Sequence, residues 1–415
     1  MSINGDKQGQ NSPDAPENVP SNAASKPARQ HRSRRRHAAH VGKNNRRGRW
    51  THVYSALDLG TNNCRLLVAK PTSNGFRVID AFSRIVRLGE GVSSRGALSE
   101  DAIERTIEAL KVCAQKMERR GVTHMRNVAT QACRSAENCD DFIQRVQQEA
   151  RINIDIINPS EEARLAVIGC KALMDSKCKK AIVFDIGGGS TELIWTEIRP
   201  NGNPHILGWT SLPFGVVNLS EQYGGTDMVS PENYAAMVAI IKERLTLFEA
   251  EHNMTAEIKK GNVQMLGTSG TVTTLTSLYL QLPRYDRRQV DGTWVEASRL
   301  HNLCTDLSRM SYAERAAETC VGEDRAELVV AGCAILDAIM ELWPVERIRV
   351  ADRGIREGLL LELMDEHHFK RPHKNAKKST RTNSSRHRRS RNRTSKDKNQ
   401  KTAPFTSQDQ NIIVA

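Results

Sequence analysis

Residues 183–195 read VFDIGGGSTELIW: three glycines with Asp185 on one side and Ser190, Thr191 and Glu192 on the other. A turn of this kind exposes several backbone N–H groups pointing one way, with no Cβ to hinder a close approach, and such a nest accepts phosphate oxygens. Ser190 and Thr191 offer hydroxyls as further donors. Asp185 and Glu192 would repel phosphate unless a divalent cation lay between them, and hard carboxylate oxygens suit Mg²⁺. The stretch therefore predicts a metal–phosphate site, with Gly187, Gly188 and Gly189 on the anion and the two acids on the metal. Alone, a Gly-rich turn after a strand is equally an ordinary hairpin. Two further segments shift the balance. Asp58-Leu59-Gly60-Thr61-Asn62 repeats the pattern 127 positions earlier, again with apolar runs on both sides. Gly267-Thr268-Ser269-Gly270-Thr271 stands between a strand and a helix, where a helix N-terminus can hold an anion.

The elements that must carry these turns alternate between strand and helix. VYSALDLGTNNCRLLVAKP predicts a strand to Leu57, a tight turn, and a strand from Cys64 to Ala69, with β structure continuing over 76–87. In LSEDAIERTIEALKVCAQKM, Ser99 can cap, Glu100 and Asp101 suit the positive helix end, and Ile103, Ile107, Leu110 and Ala114 form one face. Short strands are expected at 122–130 and 152–158 around a helix near 137–150, and another helix follows Pro159-Ser160. Strand 181–186 opens the glycine turn, Ser230-Pro231 begins a long helix, and strand 262–267 leads into the third loop and a helix. Helices near 297–308 and 324–342, a strand at 347–351 and a helix at 354–366 complete the pattern, which is α/β. The spacing of the echo is that of a domain, not of a solenoid repeat. Two similar domains, each with an Asp-hydrophobic-Gly hairpin, would face each other across a cleft.

Charge is distributed unevenly along the 415 residues, whose formal net charge is +13. Residues 1–50 hold 11 Lys/Arg against three acids and residues 370–415 hold 14 against two, so everything between is net acidic. Both tails are poor in aromatic and β-branched residues and predict disorder. Runs such as Arg34-Arg35-Arg36 and Arg386-His387-Arg388-Arg389 suit non-specific binding to polyanions such as RNA or polyphosphate, or serve only as solubilising extensions. Nine cysteines without a C-x-x-C pair read as reduced core thiols. With no apolar leader and no uncharged stretch near the ~20 residues that span a bilayer, the expected location is the cytoplasm.

Five segments in order, DLGTNNCRLLVA, NPSEEARLAVIG, VFDIGGGSTELIW, LGTSGTVTTL and DRGIREGLL, resemble the exopolyphosphatase/guanosine pentaphosphate phosphohydrolase family of the actin-like (sugar kinase/Hsp70) superfamily. The resemblance covers roughly 52–366. It implies an α/β fold of two actin-like, RNase H-like domains, at 51–159 and 160–350. A C-terminal helix at 351–368 would return towards the first domain, with the basic tails at 1–50 and 369–415 outside. It makes Asp58, Gly60, Thr61 and Asn62 the first phosphate loop, with Asn63 standing where the family usually has Ser. Asp185 to Glu192 become the second loop, Asp185 and Glu192 being the Mg²⁺ ligands. Glu162 matches the catalytic base, Arg134 and Arg356 the residues that contact the phosphate chain, and Gly267, Ser269 and Gly270 the loop that meets nucleotide in ATP-binding relatives.

The implied reaction releases orthophosphate from inorganic polyphosphate, with removal of the 5′-phosphate of guanosine pentaphosphate as the close alternative. A non-catalytic alarmone- or nucleotide-binding regulator, or an RNA-associated protein, is the alternative of another class. A homodimer is expected from the resemblance. The extra C-terminal helical domains of longer members are not expected, and the basic tails would partly replace them. Arg87, in VRLGEG, lines the cleft entry or is simply solvated. His367-His368, without a third ligand nearby, reads as the frayed start of the tail.

Overall fold

The computed structural model describes residues 52–369 except 74, 225 and 226. The predicted basic tails lie outside these residues, apart from Phe369 at the end of the last helix. Two mixed sheets form the frame. The first contains β1 (Tyr54–Leu59), β2 (Asn63–Thr72), β3 (Gly75–Ile85), β4 (His124–Ala129) and β5 (Asp155–Ile156) in the order β3-β2-β1-β4-β5. The second contains β6 (Lys180–Ile186), β7 (Thr191–Ile198), β8 (Pro204–Leu212), β9 (Val263–Thr268), β10 (Trp294–Glu296) and β11 (Arg347–Ala351) in the order β10-β11-β9-β6-β7-β8.

Read from β8, the second sheet runs β8-β7-β6-β9-β11, which repeats the first with β10 added antiparallel at the edge. In each, an antiparallel meander (β1–β3, β6–β8) is continued by parallel strands (β4 and β5, β9 and β11). The repeated Asp-hydrophobic-Gly pattern is thus a repeat of topology. The central strands of both sheets are apolar on both faces: Ala181, Ile182, Val183 and Phe184 of β6 are all buried, as expected where layers cover a sheet on each side.

The helix Glu100–Arg119 starts at Ser99, whose Oγ accepts from Ala102 N–H at 3.3 Å, and it buries Ile103, Ile107 and Leu110 against the first sheet. Two helices link the sheets. Pro159–Cys170 is capped by Asn158, which accepts from Glu161 N–H at 2.8 Å. Ile355–Phe369 packs against it and against β1, sharing a core of Tyr54, Ala56, Leu165, Leu359 and Leu360. They cross backbone to backbone. A Cβ on Gly169 would lie 2.1 Å from Gly354 O, and one on Gly358 would lie 2.3 Å from Leu165 O. That crossing fixes where the first turn of Pro159–Cys170, and Glu162 within it, can point.

Several elements differ from expectation. The helix expected over 324–342 is two, Glu323–Ala326 and Val329–Leu342. Ala326 O accepts from Arg315 Nε at 2.7 Å and Glu327 O from Ser220 Oγ at 3.0 Å, so both carbonyls are diverted from the helical ladder. Of 152–158, only Asp155 and Ile156 pair with β4; Ile152 and Ile154 turn into the core instead. β8 was not anticipated. Its outward positions include Leu207 and Trp209, each 40% exposed, which blurs the alternation that marks a half-buried strand.

His367 belongs to the last helical turn. Its ring centroid is 3.8 Å from that of His124, with Tyr54 beside both. Among the described residues no helix is long and apolar enough to cross a membrane.

Candidate functional site

The two hairpins present their turns to each other. Gly60 N–H donates to Asn63 O at 2.9 Å in the first turn, and Gly187 N–H donates to Ser190 O at 2.9 Å in the second. The turns are in contact: a Cβ on Gly188 would lie 2.9 Å from Thr61 Cβ, and one on Gly189 would lie 2.7 Å from Thr61 Oγ1. Beside this contact a cavity of about 130 Å³ is lined from both sheets. Of the residues predicted from sequence, Asp58, Gly60, Thr61, Asn62, Glu162, Asp185, Gly187, Gly188, Gly189, Ser190, Glu192, Ser269 and Gly270 line it.

Asp185 and Glu192 are cross-strand partners on β6 and β7, so their carboxyls share one face. Glu192 is 1% exposed, and its Oε1 accepts from Ser190 Oγ at 2.6 Å and Ser211 Oγ at 2.9 Å. Burial raises the Glu192 pKa despite these bonds. Asp185 keeps some surface towards the cavity while protein surrounds its other sides; this desolvation, with Glu192 and Asp58 nearby, pushes its pKa up to about 7. Glu162 is raised well above the usual carboxylate range by burial and then by the charge of Glu192, and Arg134 opposes both. The Arg134 guanidinium donates from Nη1 to Glu162 Oε2 at 2.8 Å and to Ile157 O at 2.7 Å, with Gln131 Oε1 holding its other edge. Glu162 and the cation that orients it are therefore a built pair.

Four predicted residues lie off the cavity wall. Arg134 stands behind Glu162. Arg356, in the first turn of Ile355–Phe369, is within electrostatic range of Asp58 and Arg65. Thr191 spends its hydroxyl on Phe214 O at 2.7 Å. Gly267 is an interior residue of β9, glycine there because a Cβ would meet the Phe184 ring at 2.5 Å. The cavity-lining part of the third loop and the helix it starts is Ser269, Gly270, Thr271 and Thr274. Ser269 adopts φ 85° and caps the helix Gly270–Tyr279. Its Oγ donates to Ile186 O, which ties the loop to the second hairpin.

Sequence reasoning missed Arg65, Gln131 and Arg325, which also line the cavity. Arg65 is the register partner of Asp58, the place Glu192 holds opposite Asp185. The signal lay in the first motif itself, since Arg65 and Glu192 both stand seven residues after their aspartates.

The model of the Ppx/GppA phosphatase family matches residues 67–367. The chain belongs to this family. It is 27% identical over 310 residues to a provisionally named exopolyphosphatase of Haemophilus influenzae, covering 74% of the chain and 90% of that protein. To a guanosine-5′-triphosphate,3′-diphosphate pyrophosphatase of Aliivibrio fischeri it is 28% identical over 314 residues, covering 76% of the chain but only 60% of that protein. The crystal structure of the Aquifex aeolicus family member superposes with a TM-score of 0.63 at 28% identity, covering 76% of the chain and 99% of that structure. The fold is therefore the two-domain fold of Ppx/GppA structures.

Proposed function

We propose that this Ppx/GppA family member hydrolyses the terminal phosphoanhydride of a polyphosphorylated substrate, with inorganic polyphosphate as the leading candidate. Guanosine pentaphosphate, for which a relative is named, is the alternative. The observation that carries the reading is the Glu162–Arg134 pair, held at 2.8 Å beside two apposed glycine turns. A receptor that only senses its ligand has no need of a buried, orientation-fixed carboxylate next to a phosphate nest. The cavity of about 130 Å³ suits the phosphate terminus of either candidate, with the remaining chain or the guanosine outside it.

The residues present fit Mg²⁺. Asp185 and Glu192 offer hard oxygens on one face, and Asn62 Oδ1 is buried without a hydrogen-bond partner. Among the described residues no group of three or more His, Cys, Asp or Glu is arranged to hold a metal alone. That suits an ion which usually takes one or two carboxylates and completes its shell with phosphate and water. Asp185 and Glu192 would hold it, and when bound it would offset charge on the phosphoryl oxygens.

The chain's own groups do the rest. Glu162, its pKa raised well above the usual carboxylate range by burial and then by Glu192, is a stronger base than a solvated carboxylate and takes a proton from the attacking water. Arg134 fixes the carboxylate and adds positive potential. The N–H groups of the turns other than those of Gly60 and Gly187, with the N-terminus of the helix beyond Gly270, whose own N–H donates to Ser269 Oγ, hold the phosphoryl oxygens.

The test is phosphate release from polyphosphate, guanosine pentaphosphate and ATP by wild type and Glu162→Gln. Glu162→Gln is expected to lower kcat by about 10²–10⁴-fold while retaining polyphosphate binding. A wild type that binds one of the three tightly and releases phosphate from none ends the hydrolase reading.

A further inference from the structure

Each glycine turn is tied to a lip of the cleft by backbone hydrogen bonds. On the first side Asn62 O accepts from Val86 and Arg87 N–H at 2.9 and 3.1 Å, and Thr61 O accepts from Gly89 N–H at 2.9 Å. These bonds hold Arg87 at φ 49°, a left-handed conformation uncommon for a side-chain-bearing residue. On the second side Gly187 O and Gly188 O accept from Val216 and Val217 N–H at 3.0 and 2.8 Å, starting the helix Val216–Tyr223. A lip therefore cannot move without its turn.

At the mouth the lips are joined by two carboxylates. Glu221 Oε1 accepts from Gly91 N–H at 2.7 Å. Glu327 Oε2 lies 3.9 Å from Arg87 Nη1. Ser220 Oγ donates to Glu327 O at 3.0 Å, which keeps the two acids side by side. In each contact an acid from the second lip occupies an anion-binding group of the first. Two acids at the entrance of a polyanion site would otherwise only repel the substrate. Behind them the turns touch, and Gly188 and Thr61 part only if the lips that hold them do.

We infer that Glu221 and Glu327 are a carboxylate gate and determine specificity for long polyanions. They hold the lips closed, and a chain of several phosphoryl groups opens them by taking over Gly91 N–H and Arg87 with its own oxygens. The inference rests on the phosphohydrolase reading above. A long chain presents many competing oxygens at once and can displace both acids together. A short one must spend its terminus at the gate or in the cavity.

Both contacts are solvent-accessible, so each contributes modestly and the effect is a few-fold. The experiment places spin labels at Ser93→Cys and Gln222→Cys, one on each lip, in a Cys178→Ser background, and measures their separation. Wild type is expected to give one short distance that lengthens on adding long-chain polyphosphate. Glu221→Ala/Glu327→Ala is expected to give the longer distance without polyphosphate, and Arg87→Glu/Glu327→Arg to restore the short one. In hydrolysis the double alanine variant should lower KM for long polyphosphate by about three- to ten-fold with kcat within about two-fold, and leave KM for tripolyphosphate closer to the long-chain value. An unchanged distance distribution in the double alanine variant overturns the gate, as does an unchanged KM for long chains. A protein that shows the distance changes but releases no phosphate keeps the gate and ends the hydrolase reading alone.

Discussion

The two hairpins share one turn geometry and differ in the sign of the charge that faces the aspartate. Each starts with an aspartate at a strand end, turns through four residues and closes with the same 2.9 Å hydrogen bond. Across the register, however, Asp58 faces Arg65 and Asp185 faces Glu192. The first hairpin neutralises its own acid, so Asp58 has Arg65 and Arg356 opposing the upward push of burial on its pKa. The second doubles its negative charge in a site where Asp58 and Glu162 add more. The two turns thus serve different ends: the first hairpin sets an arginine against its aspartate, whereas the second sets two carboxyls side by side, where the proposed cation would sit.

The comparison is broken most directly by removing the extra charge of the second hairpin. Glu192→Gln keeps the oxygen that accepts from Ser190 and Ser211, since both hydroxyls bond to Oε1. It removes the charge and puts an NH₂ donor in place of the other carboxylate oxygen. Phosphate release is expected to fall about 100-fold, a loss typical when charge stabilisation of the reacting group is removed. Mn²⁺ binding, followed by the ion's own paramagnetic resonance signal, should weaken in step. Activity within about threefold of wild type at limiting Mg²⁺ would show that the second hairpin does not need its charge pair.

Folding stability should respond to the same operation with opposite sign in the two hairpins. Arg65→Met leaves Asp58 without its register partner, and is expected to cost about 2 kcal/mol, below the full penalty for a buried pair because both groups keep surface in the cavity. At about 2–4 °C per kcal/mol this is a fall in Tm of roughly 5 °C. Glu192→Gln is expected to raise stability by about 1 kcal/mol, because burying a charged acid near like charges is unfavourable. Glu192 has a raised folded pKa. The unfolded chain therefore releases its proton first as pH rises, and the ionised group opposes folding increasingly above the unfolded value of about 4.3. The gain from Glu192→Gln should be absent below about pH 4 and grow as pH rises through the raised folded pKa. Thermal melts without Mg²⁺ at pH 4 and pH 8 check this; equal and same-signed shifts for the two variants would remove the contrast.

Much of this was legible because glycine and carboxylate patterns encode backbone geometry. The echo of Asp58 and Asp185 forecast two similar halves, each with an Asp-hydrophobic-Gly hairpin, and Pro159-Ser160 forecast the helix that carries Glu162. What escaped depended on distant partners. The break after Ala326 is made by Arg315, eleven residues away in sequence, drawing off a carbonyl. Gly267 resembled a phosphate-loop glycine, yet its missing Cβ makes room for Phe184. Thr191 resembled a donor to ligand, but the loop at Phe214 claims its hydroxyl. Arg65 was overlooked because its signal shows only when the two hairpins are set side by side, where its spacing from Asp58 matches that of Glu192 from Asp185 and the register makes each the partner of its aspartate. The gate acids escaped for the same reason: nothing near Glu221 in sequence points to Gly91.

The smallest effect tests the contrast far from the cleft, with a carboxylate whose charge is compensated twice. Asp80 on β3 accepts from Lys116 Nζ at 2.8 Å and Arg120 Nε at 2.7 Å, which pin the helix Glu100–Arg119 to the sheet. These bonds hold its pKa at about 2, Lys116 first and Arg120 second among the causes. The folded pKa is depressed, so the stabilisation is fully present above the unfolded value of about 3.9 and is lost as pH falls towards 2. Asp80→Asn is expected to cost about 0.5–1 kcal/mol at pH 7, the range for solvent-accessible ion pairs, and less in 1 M salt. Urea denaturation at pH 7 and pH 3 should show the variant's deficit shrinking at the lower pH, the reverse of Glu192→Gln, whose advantage grows as pH rises. A deficit independent of both pH and salt would mean that Asp80 acts through packing rather than charge, and that compensation by nearby cations is not what separates a stabilising acid from a destabilising one in this protein.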